Sequence, residues 1–363
     1  MPASQAGARV HIISKYFVIP KDQALCGTGR DDRRGGEEFV MQERIQKLVT
    51  IGGGSGQFAL LSGLNTLDGI AITSIVSMVD SGGSTGRLRD ELGTLPPGDV
   101  LKCVLALSPH RDVVRSIFLK RFAADGRLKG HNAGNMLLTM LAEYTGSFST
   151  GVEALAEILD AKGKILPVTV DKATLVADLT DGSRIYGQRA INIPRGATRE
   201  KIRDIFLVPH HTDTISAYPP VIDAITDADY ILIGPGDLFT SIVTNLIVPG
   251  VKDAIRHTTA KVFYIVNIMT KFGETHNYAG YDFVQQIEAH IGRQVDGIIY
   301  NTEKPHAAIL EFYRKQKSDF VEIDETSDVW GERVLYRANL LSVAGGIIRH
   351  DSLKLAELID EIL

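Results

Sequence analysis

The chain has 363 residues, of which 44% are hydrophobic and 23% charged, a composition typical of a folded globular protein. A net charge of -5 at pH 7 gives no basic excess for binding a phosphate backbone, so nucleic acid is not an expected partner. Cys26 and Cys103 are too few for a disulfide framework or a cysteine-based metal site, and no apolar run is long enough for a membrane span. No signal peptide is recognised either, so these features predict a cytoplasmic protein.

The N-terminal segment, residues 1–46, differs in character from the rest of the chain. Residues 27–38 form a polar run interrupted by glycines, which cannot bury a core. We therefore predict a flexible extension over residues 1–46 and a single folded domain over residues 47–363.

The first part of this domain has a βαβ pattern. Leu48–Ile51 is a short apolar run that predicts a buried strand, and Phe58–Leu64 predicts a helix. A second strand is predicted over Ile70–Val79, followed by a long polar loop over Asp80–Gly98. Helical spacing then recurs, and a hairpin that turns on Asp181 and Gly182 follows it. The predicted helices and the hairpin are Val100–Leu107, Val113–Phe122, Asn135–Tyr144, Val152–Leu159 and Thr174–Arg189.

The second part returns to short apolar strands separated by stretches of helix length, as expected for buried parallel strands. These strands and the closing elements are Tyr230–Ile233, Val262–Val266, Val295–Tyr300, a further strand over Leu335–Leu341 and an amphipathic helix over Leu353–Leu363. The pattern predicts an α/β, Rossmann-like fold. It consists of a doubly wound, mostly parallel sheet with helices on both faces and a small hairpin insertion.

The glycine-rich turn Gly52–Gly56 lies between the first strand and the first helix. Backbone N–H groups at such a helix start can hold a phosphate, so Gly53, Gly54, Ser55 and Gly56 are candidate ligand-binding residues. The turn matches neither a dinucleotide fingerprint, because Gln57 occupies the last glycine position, nor a P-loop, because no Gly-Lys-Ser/Thr follows.

A second Gly/Ser loop begins at Asp80, beyond the second predicted strand. Asp80 has three possible roles: accepting from a ribose hydroxyl, coordinating a divalent metal such as Mg²⁺, or capping its own loop. Ser84 is a candidate ligand-binding residue, and Arg87 or Arg89 is a candidate for a charge-assisted contact to a diphosphate. Asp99 is predicted to be the N-cap of the next helix.

Polar residues follow several other predicted elements. The segments 130–135 and 234–241 each precede a helix, and single asparagines follow two later strands. Because the carboxyl ends of parallel strands share one edge of the sheet, we expect these groups to converge on one ligand. The candidates are His131, Asn135, Gly234, Gly236, Asp237, Thr240, Asn267 and Asn301.

Other catalytic and metal motifs are missing from the sequence. His210 and His211 are adjacent, so their side chains would point apart in a strand, and we interpret them as loop or surface residues. No Gly-x-Ser-x-Gly elbow is found, and neither cysteine lies in a nucleophile motif.

In combination and in this order, these motifs resemble the YvcK/CofD family over about residues 47–351, and the YvcK branch, the gluconeogenesis factors, in particular. The segments that carry the resemblance are Ile51–Gly56, Asp80–Arg89, Pro96–Asp99, Gly130–Asn135, Gly234–Ser241, Asn267–Thr270 and Gly273–Thr275. The resemblance implies a Rossmann-like fold that binds UDP-sugars such as UDP-N-acetylglucosamine and has a regulatory role in carbon metabolism, cell shape and envelope growth. For the CofD branch it implies instead a Mg²⁺-dependent 2-phospho-L-lactate transferase that acts on a guanosine diphosphate conjugate, with Asp80 as its catalytic and metal-binding residue here.

Two departures from the family pattern bear on this choice. The family often has two adjacent aspartates where this chain has Asp80 and Ser81, and the loss of one carboxylate weakens the case for Mg²⁺. Lys271 and Phe272 replace a Gln-Pro pair that is common in YvcK-like sequences. The sequence leaves open whether a reaction is catalysed, and the fold is compatible with a homodimer.

Overall fold

The computed structural model describes residues 10–11, 44–123, 126–194, 198–210 and 212–363. The predicted flexible extension over residues 1–46 therefore lies almost wholly outside the described residues, as do Cys26 and His211. Within that segment, Val10 and His11 form a two-residue strand.

The strands, in chain order, are β1 Val10–His11, β2 Gln46–Gly52, β3 Ile70–Val76, β4 Lys164–Pro167, β5 Ala173–Leu179, β6 Arg184–Tyr186, β7 Ile202–Pro209, β8 Tyr230–Ile233, β9 Lys261–Ile265, β10 Gly297–Asn301, β11 Val334–Ala338, β12 Leu341–Ala344 and β13 Ile347–His350.

The helices are α1 Gly54–Leu64, α2 Gly83–Leu92, α3 Gly98–Leu107, α4 Arg111–Phe118, α5 Ala133–Thr145, α6 Phe148–Ile158, α7 Gln188–Asn192, α8 Pro219–Thr226, α9 Val243–Leu246, α10 Val251–His257, α11 Gly280–Ile291, α12 Ala307–Lys315 and α13 Ser352–Asp360. A π-helical turn, Leu238–Ile242, leads into α9, and a 3₁₀ turn spans Asp328–Trp330.

The main sheet has the strand order β1-β11-β10-β9-β8-β2-β3-β4 among the described residues, and all of its pairings are parallel. β2 is central because it is apolar on both faces; Ile51 is fully buried and pairs with Ile75 on one side and Ile233 on the other. From β2 the chain first builds outward through β3 and β4, then returns to β8 on the other side of β2 and builds outward again. The strand order therefore reverses between β2 and β8, the position at which open α/β sheets bind ligands.

The helices pack around this sheet in two groups. In the first group α1 packs against α3 and α13, and in the second α10 packs against α8 and α11. The core runs continuously from Leu48 and Leu60 to Ile299 and Leu355. The predicted α/β, Rossmann-like, doubly wound fold is confirmed.

The predicted hairpin is present as β5 and β6, which pair antiparallel with Asp178 opposite Arg184. β7 pairs antiparallel with the other edge of β5, so the insertion is a three-stranded sheet. We call the segment from β5 to β7 the insertion. A second small antiparallel pair, β12 and β13, precedes α13.

Two local predictions were wrong. The predicted loop Asp80–Gly98 contains α2, a helix with few apolar residues, of which only Leu88 is both strongly apolar and buried. Asp99 is not the N-cap of α3: Pro97 occupies that position, and Asp99 lies in the first helical turn, where its carboxylate accepts from Lys102.

Within the described part of the chain, no single helix has the length and apolar character needed to cross a membrane. Leu238–Leu246 and Val251–His257 meet that test only when taken together, and they are bent by 75° to each other.

Candidate functional site

A crevice of about 970 Å³ opens at the carboxyl ends of the parallel strands. Its walls come from the loops that follow β2, β3, β8 and β9, with further residues from the insertion and from β13. The crevice therefore covers the point at which the strand order reverses.

The glycine turn forms the floor of this crevice. Gly53 is the N-cap of α1 and carries no side-chain cap, and Gly54 has a φ of +65°, in the left-handed region that favours glycine. A Cβ on Gly56 would lie 2.1 Å from the carbonyl oxygen of Pro235. The first turn of α1 contains no acidic residue, so its N–H groups offer a site for an anion.

Gln57 stabilises the turn at the position where a dinucleotide fingerprint has its last glycine. Its side chain is fully buried beneath the turn, and its Nε2 donates to Thr50 Oγ1 at 2.5 Å and to Ser74 Oγ at 3.1 Å. The amide therefore ties α1 to β2 and β3 at the position where a dinucleotide-binding turn packs on glycine.

The loop after β8 lies against the glycine turn. Gly234 has a φ of +84° and is joined to Pro235 by a cis peptide bond. Asn245 Nδ2 donates to the carbonyl of Gly52 at 3.2 Å, and Asn267 Nδ2 donates to the carbonyl of Gly236 at 2.8 Å. These bonds hold the ends of β2, β8 and β9 in one rigid arrangement.

Two carboxylates, Asp80 and Asp99, lie side by side in the crevice. Asp80 Oδ1 accepts from the backbone N–H of Gly82 at 2.9 Å, and Asp99 Oδ1 accepts from Lys102 Nζ at 2.9 Å. Burial and the neighbouring Asp99 raise the pKa of Asp80, and Asp99 raises the pKa of Lys102. The pair therefore concentrates negative charge next to the glycine turn.

A metal ion at this point would need ligands from outside the protein. Among the described residues, no group of three or more His, Cys, Asp and Glu side chains is arranged to hold a metal. Mg²⁺ is commonly bound by one or two carboxylates together with water and substrate phosphates. Asp80 and Asp99 fit that arrangement as two neighbouring carboxylates that line the crevice.

A second charged cluster lies where the insertion meets the loops after β8 and β9. Lys271 Nζ is 2.5 Å from Asp237 Oδ2 and 3.0 Å from Glu274 Oε1, and it also donates to Asn192. Burial raises the pKa of the fully buried Glu274 to about 7, although Lys271 opposes this effect. Burial disfavours the ammonium of Lys271, but Glu274 and Asp237 outweigh it and raise the pKa of Lys271. Asp237, a candidate ligand residue, is thus already ion-paired.

Most of the residues singled out from the sequence come together in this crevice. Those that line it are Gly53, Gly54, Ser55, Gly56, Asp80, Asn135, Gly236, Asp237 and Asn267.

The remaining candidates do not line the crevice; they are Ser84, Arg87, His131, Gly234, Thr240 and Asn301.

Three of them lie together where α2 meets the segment before α5. Ser84 Oγ and His131 Nδ1 are 3.0 Å apart and both side chains are buried, while Arg87 donates to the carbonyl of Lys129 at 2.6 Å. Burial and the nearby Arg87 lower the pKa of His131, which favours its neutral form.

The other three stabilise loop ends. Gly234 directly follows β8, Thr240 donates to Glu274 at 3.3 Å, and Asn301 Oδ1 accepts from the backbone of Glu303 and Leu340.

Several crevice residues were not singled out as ligand contacts from the sequence. They are Asp99, Lys102, Arg121, Arg189, Glu274 and Arg349. Lys102 could have been found, because it follows Asp99 by three positions on a helix. Arg189 and Arg349 come from the insertion and from β13, and no local pattern links either segment to the glycine turn.

Comparison with known proteins adds family relationships to this geometry. The family model described as 2-phospho-L-lactate transferase CofD matches residues 48–340. A Thermotoga maritima protein provisionally named a gluconeogenesis factor is 42% identical over 319 residues, which cover 87% of this chain and 99% of that protein. The Bacillus subtilis gluconeogenesis factor is 36% identical, over 87% of this chain and 98% of that protein.

The fold is also similar to a solved structure. The crystal structure of a Bacillus halodurans protein, described as a member of the upf0052 family, has a TM-score of 0.80 and is 35% identical in sequence. The similarity covers 86% of this chain and 99% of the other.

Proposed function

This chain belongs to the CofD family, and from that premise we propose that its crevice binds a nucleotide-sugar, with UDP-N-acetylglucosamine as the first candidate. The protein then acts as a regulator in carbon metabolism, cell shape and envelope growth. Its similarity to gluconeogenesis factors supports the link to carbon metabolism.

The observation that carries the proposal is the contact between two glycine loops at the reversal of strand order. Gly56 approaches the carbonyl of Pro235 so closely that a Cβ would overlap it, at 2.1 Å. The exposed N–H groups of the α1 start and the loop at Gly236 therefore face one space, which suits a diphosphate held by backbone groups.

The neighbouring residues suit the remaining parts of such a ligand. The carboxylate of Asp80 is positioned to accept from a ribose hydroxyl or to share a Mg²⁺ ion with Asp99 and the diphosphate. Asn135 and Asn267 offer amide groups to the base or the sugar, while His131 and Asn301 support the loops around them.

Calorimetry with UDP-N-acetylglucosamine tests the proposal. We expect a dissociation constant below about 1 mM, equivalent to about 4 kcal/mol of binding free energy. Gly54→Val should abolish binding, because Gly54 has a positive φ and any side chain there is strained. An absence of binding by this ligand and by every other nucleotide tried would rule out the proposal.

The side-by-side carboxylates favour a second candidate function, a transferase of the CofD type. In this alternative Mg²⁺ would supply charge neutralisation for the phosphates of a guanosine diphosphate conjugate. Asp80 and Asp99 would hold the cation, and the hydrogen bond from Lys102 would hold the Asp99 carboxylate in place. The start of α1 would position the diphosphate for transfer.

The transferase alternative predicts metal-dependent release of a nucleoside monophosphate or diphosphate from such a conjugate. Asp80→Asn should abolish this release, while Glu322→Gln, a change at an exposed carboxylate on the surface, should leave it unchanged. Unaltered turnover in Asp80→Asn would refute the role of Asp80, and absence of turnover with intact UDP-sugar binding would favour the regulatory function.

A further inference from the structure

Two cations of the crevice lie away from the glycine turn and have no acidic partner in the part of the chain that the structure describes. Arg121 donates from Nη1 to the carbonyl of Gly130 at 2.7 Å, and the backbone N–H of Arg189 donates to Ser81 Oγ at 3.0 Å. Among the described residues, neither guanidinium forms an ion pair with a carboxylate. Both side chains are exposed to the crevice, so their charge is available to an anion.

These cations lie beside the start of α2. A Cβ on Gly83 would be 3.6 Å from Arg121 Nη1, so the guanidinium lies close to the first turn of the helix. The first turn of α2 has no acidic residue, and its N-cap, Gly82, has no side chain to occupy the free N–H groups. The guanidinium of Arg121 and the free N–H groups at the start of α2 can therefore donate together to one anionic group.

Asn135 supplies an independent observation at the same place. Its side chain is 2% exposed and lines the crevice, and its Oδ1 has no hydrogen-bond partner among the described residues. Its Nδ2 donates to Thr85 Oγ1 at 3.3 Å, and the Thr85 hydroxyl in turn hydrogen-bonds to Asp80, so the orientation of the amide is fixed by this network. A buried amide oxygen without a partner is costly, and a hydroxyl donor from a ligand would satisfy it.

The combination of donors for an anion and one acceptor for a hydroxyl defines a ligand class. We propose that this region, the α2 subsite, binds the carboxylate and a neighbouring hydroxyl of a sugar acid, carried on the nucleotide whose diphosphate lies on the glycine turn. The proposal rests on the proposed function for the placement of the diphosphate. The α2 subsite consists of Gly82, Gly83, Thr85, Arg121, Asn135 and Arg189.

The position of the subsite relative to the glycine turn supports a ligand that spans both. A Cβ on Gly53 would be 3.1 Å from Asp99 Oδ2, and a Cβ on Gly98 would be 2.9 Å from Asp80 Oδ2 and 2.4 Å from Thr85 Oγ1. The two carboxylates thus lie between the two anion-binding regions and keep them apart. A ligand that fills both regions therefore carries a second anionic group besides its diphosphate.

Calorimetry with UDP-glucuronic acid and UDP-glucose tests the proposal, because these ligands differ only by a carboxylate in place of a hydroxymethyl group. We expect UDP-glucuronic acid to bind about tenfold or more tightly, as charged hydrogen bonds allow. The double variant Arg121→Gln/Arg189→Gln should bind UDP-glucuronic acid about as weakly as UDP-glucose, and its affinity for UDP-glucose should not change. The control Arg314→Gln, an exposed arginine of α12, should retain the preference. Equal affinities in the wild-type protein, or equal losses for both ligands in the double variant, would overturn the proposal.

A second titration separates a linked acid from a free one and remains informative if UDP ligands do not bind. Free glucuronate is titrated into the wild-type protein, with and without saturating UDP, and into Gly54→Val and the arginine double variant. Binding that Gly54→Val retains and the double variant loses supports the subsite even if the proposed function fails. A different result would overturn the proposal that the acid is carried on the nucleotide. That result is tighter binding of free glucuronate in the presence of UDP, together with equal affinities for UDP-glucuronic acid and UDP-glucose, and it would mean that the acid binds as a separate molecule. If the double variant binds free glucuronate as well as the wild type, there is no such subsite.

Discussion

Gly56 is a residue at which the two halves of the sheet approach closely in the crevice. The Cβ of an alanine there would meet the carbonyl carbon and oxygen of Pro235 at 2.6 and 2.1 Å, and both are backbone atoms that cannot rotate away. We expect Gly56→Ala to lower the free energy of unfolding by about 1–3 kcal/mol and to weaken nucleotide-sugar binding, because α1 and the loop after β8 must move apart.

Denaturant unfolding and calorimetry measure both effects. Ala307→Val adds methyl groups on the exposed first turn of α12 and serves as the control, with both quantities close to those of the wild type. If Gly56→Ala bound the ligand normally, the close contact between the loops would not be needed for binding.

The buried Glu274 makes stability depend on pH in a direction that its environment determines. Its pKa is raised from 4.5 to about 7, so the folded state holds a proton that the unfolded state releases between those values. Stability contributed by this proton is therefore present below pH 4.5 and is lost as the pH rises to about 7. Over this range the wild type should lose on the order of 2–3 kcal/mol of unfolding free energy through Glu274, and Glu274→Gln should not show this loss.

Unfolding free energies of the wild type and Glu274→Gln at several values between pH 4.5 and 7.5 test this prediction. The neighbouring Lys271 and Asp237 are retained in the variant, so the difference between the two pH profiles isolates Glu274. Glu322→Gln, at an exposed carboxylate paired with Lys304, should leave the profile unchanged. Parallel profiles for the wild type and Glu274→Gln would mean that the carboxyl is ionised throughout this range.

At the residue scale, the sequence predicted the parts of the site that follow from local backbone geometry. The glycine turn and Asp80 could be found because each directly follows an apolar run in the sequence. The pairing of Lys271 with Asp237 and Asn192 could not, because it joins segments that only the fold brings together. The same limit explains why Asp99 was interpreted as a helix cap and not as the neighbour of Asp80.

Among the elements, α5 connects helix capping directly to the crevice. Its N-cap, Asn132, accepts at Oδ1 from the backbone N–H of Asn135 at 2.7 Å, and the side chain of Asn135 lines the crevice. We expect Asn132→Ala to cost about 0.5–2 kcal/mol of stability and also to weaken ligand binding, because the start of α5 loosens.

Ser147→Ala is the matched comparison for this element. Ser147 is the N-cap of α6 and accepts from Thr150 N at 3.5 Å, but it does not line the crevice. Its loss should lower stability without a change in affinity, as measured by denaturant unfolding and calorimetry. If Asn132→Ala and Ser147→Ala both bound the ligand as tightly as the wild type, the N-cap of α5 would have no role in ligand binding.

The elements that the sequence predicted well are those whose apolar pattern is continuous. Tyr230–Ile233 was predicted with its exact limits because its four residues form a continuous apolar and aromatic run, of which the last three are buried. α2 was missed because most of its side chains are polar and its position depends on tertiary contacts. A Cβ on Gly86 would lie 2.4 Å from the carbonyl oxygen of Ser81, for example, so the helix packs tightly on its own preceding loop. Propensity and periodicity do not record contacts of this kind.

At the scale of the whole molecule, an acidic protein places five of its 39 Lys and Arg side chains around one crevice. The net charge is -5, yet Lys102, Arg121, Arg189, Lys271 and Arg349 all line the crevice. This arrangement attracts a small anion to one place without promoting general binding to nucleic acid. The sequence predicted the acidic balance, but the crevice residues come from separate parts of the chain and gather only in the folded sheet.

The strand order implies that ligand binding couples the two halves of the sheet, the half of β2 to β4 and the half of β8 to β11. The turn Gly53–Gly56 belongs to the first half and the loop at Gly236 to the second, and both line the same crevice. A ligand that contacts both must oppose opening of either half.

At a concentration of 100 times the dissociation constant, such a ligand should stabilise the folded state by about 2.7 kcal/mol. We therefore expect UDP-N-acetylglucosamine to slow amide hydrogen exchange by up to about 100-fold in segments 53–62 and 236–246, while the exposed face of α12 changes little. Gly54→Val should show no slowing in either segment. Slowing confined to one segment would mean that the ligand contacts only one half of the sheet and that the crevice does not act as one site.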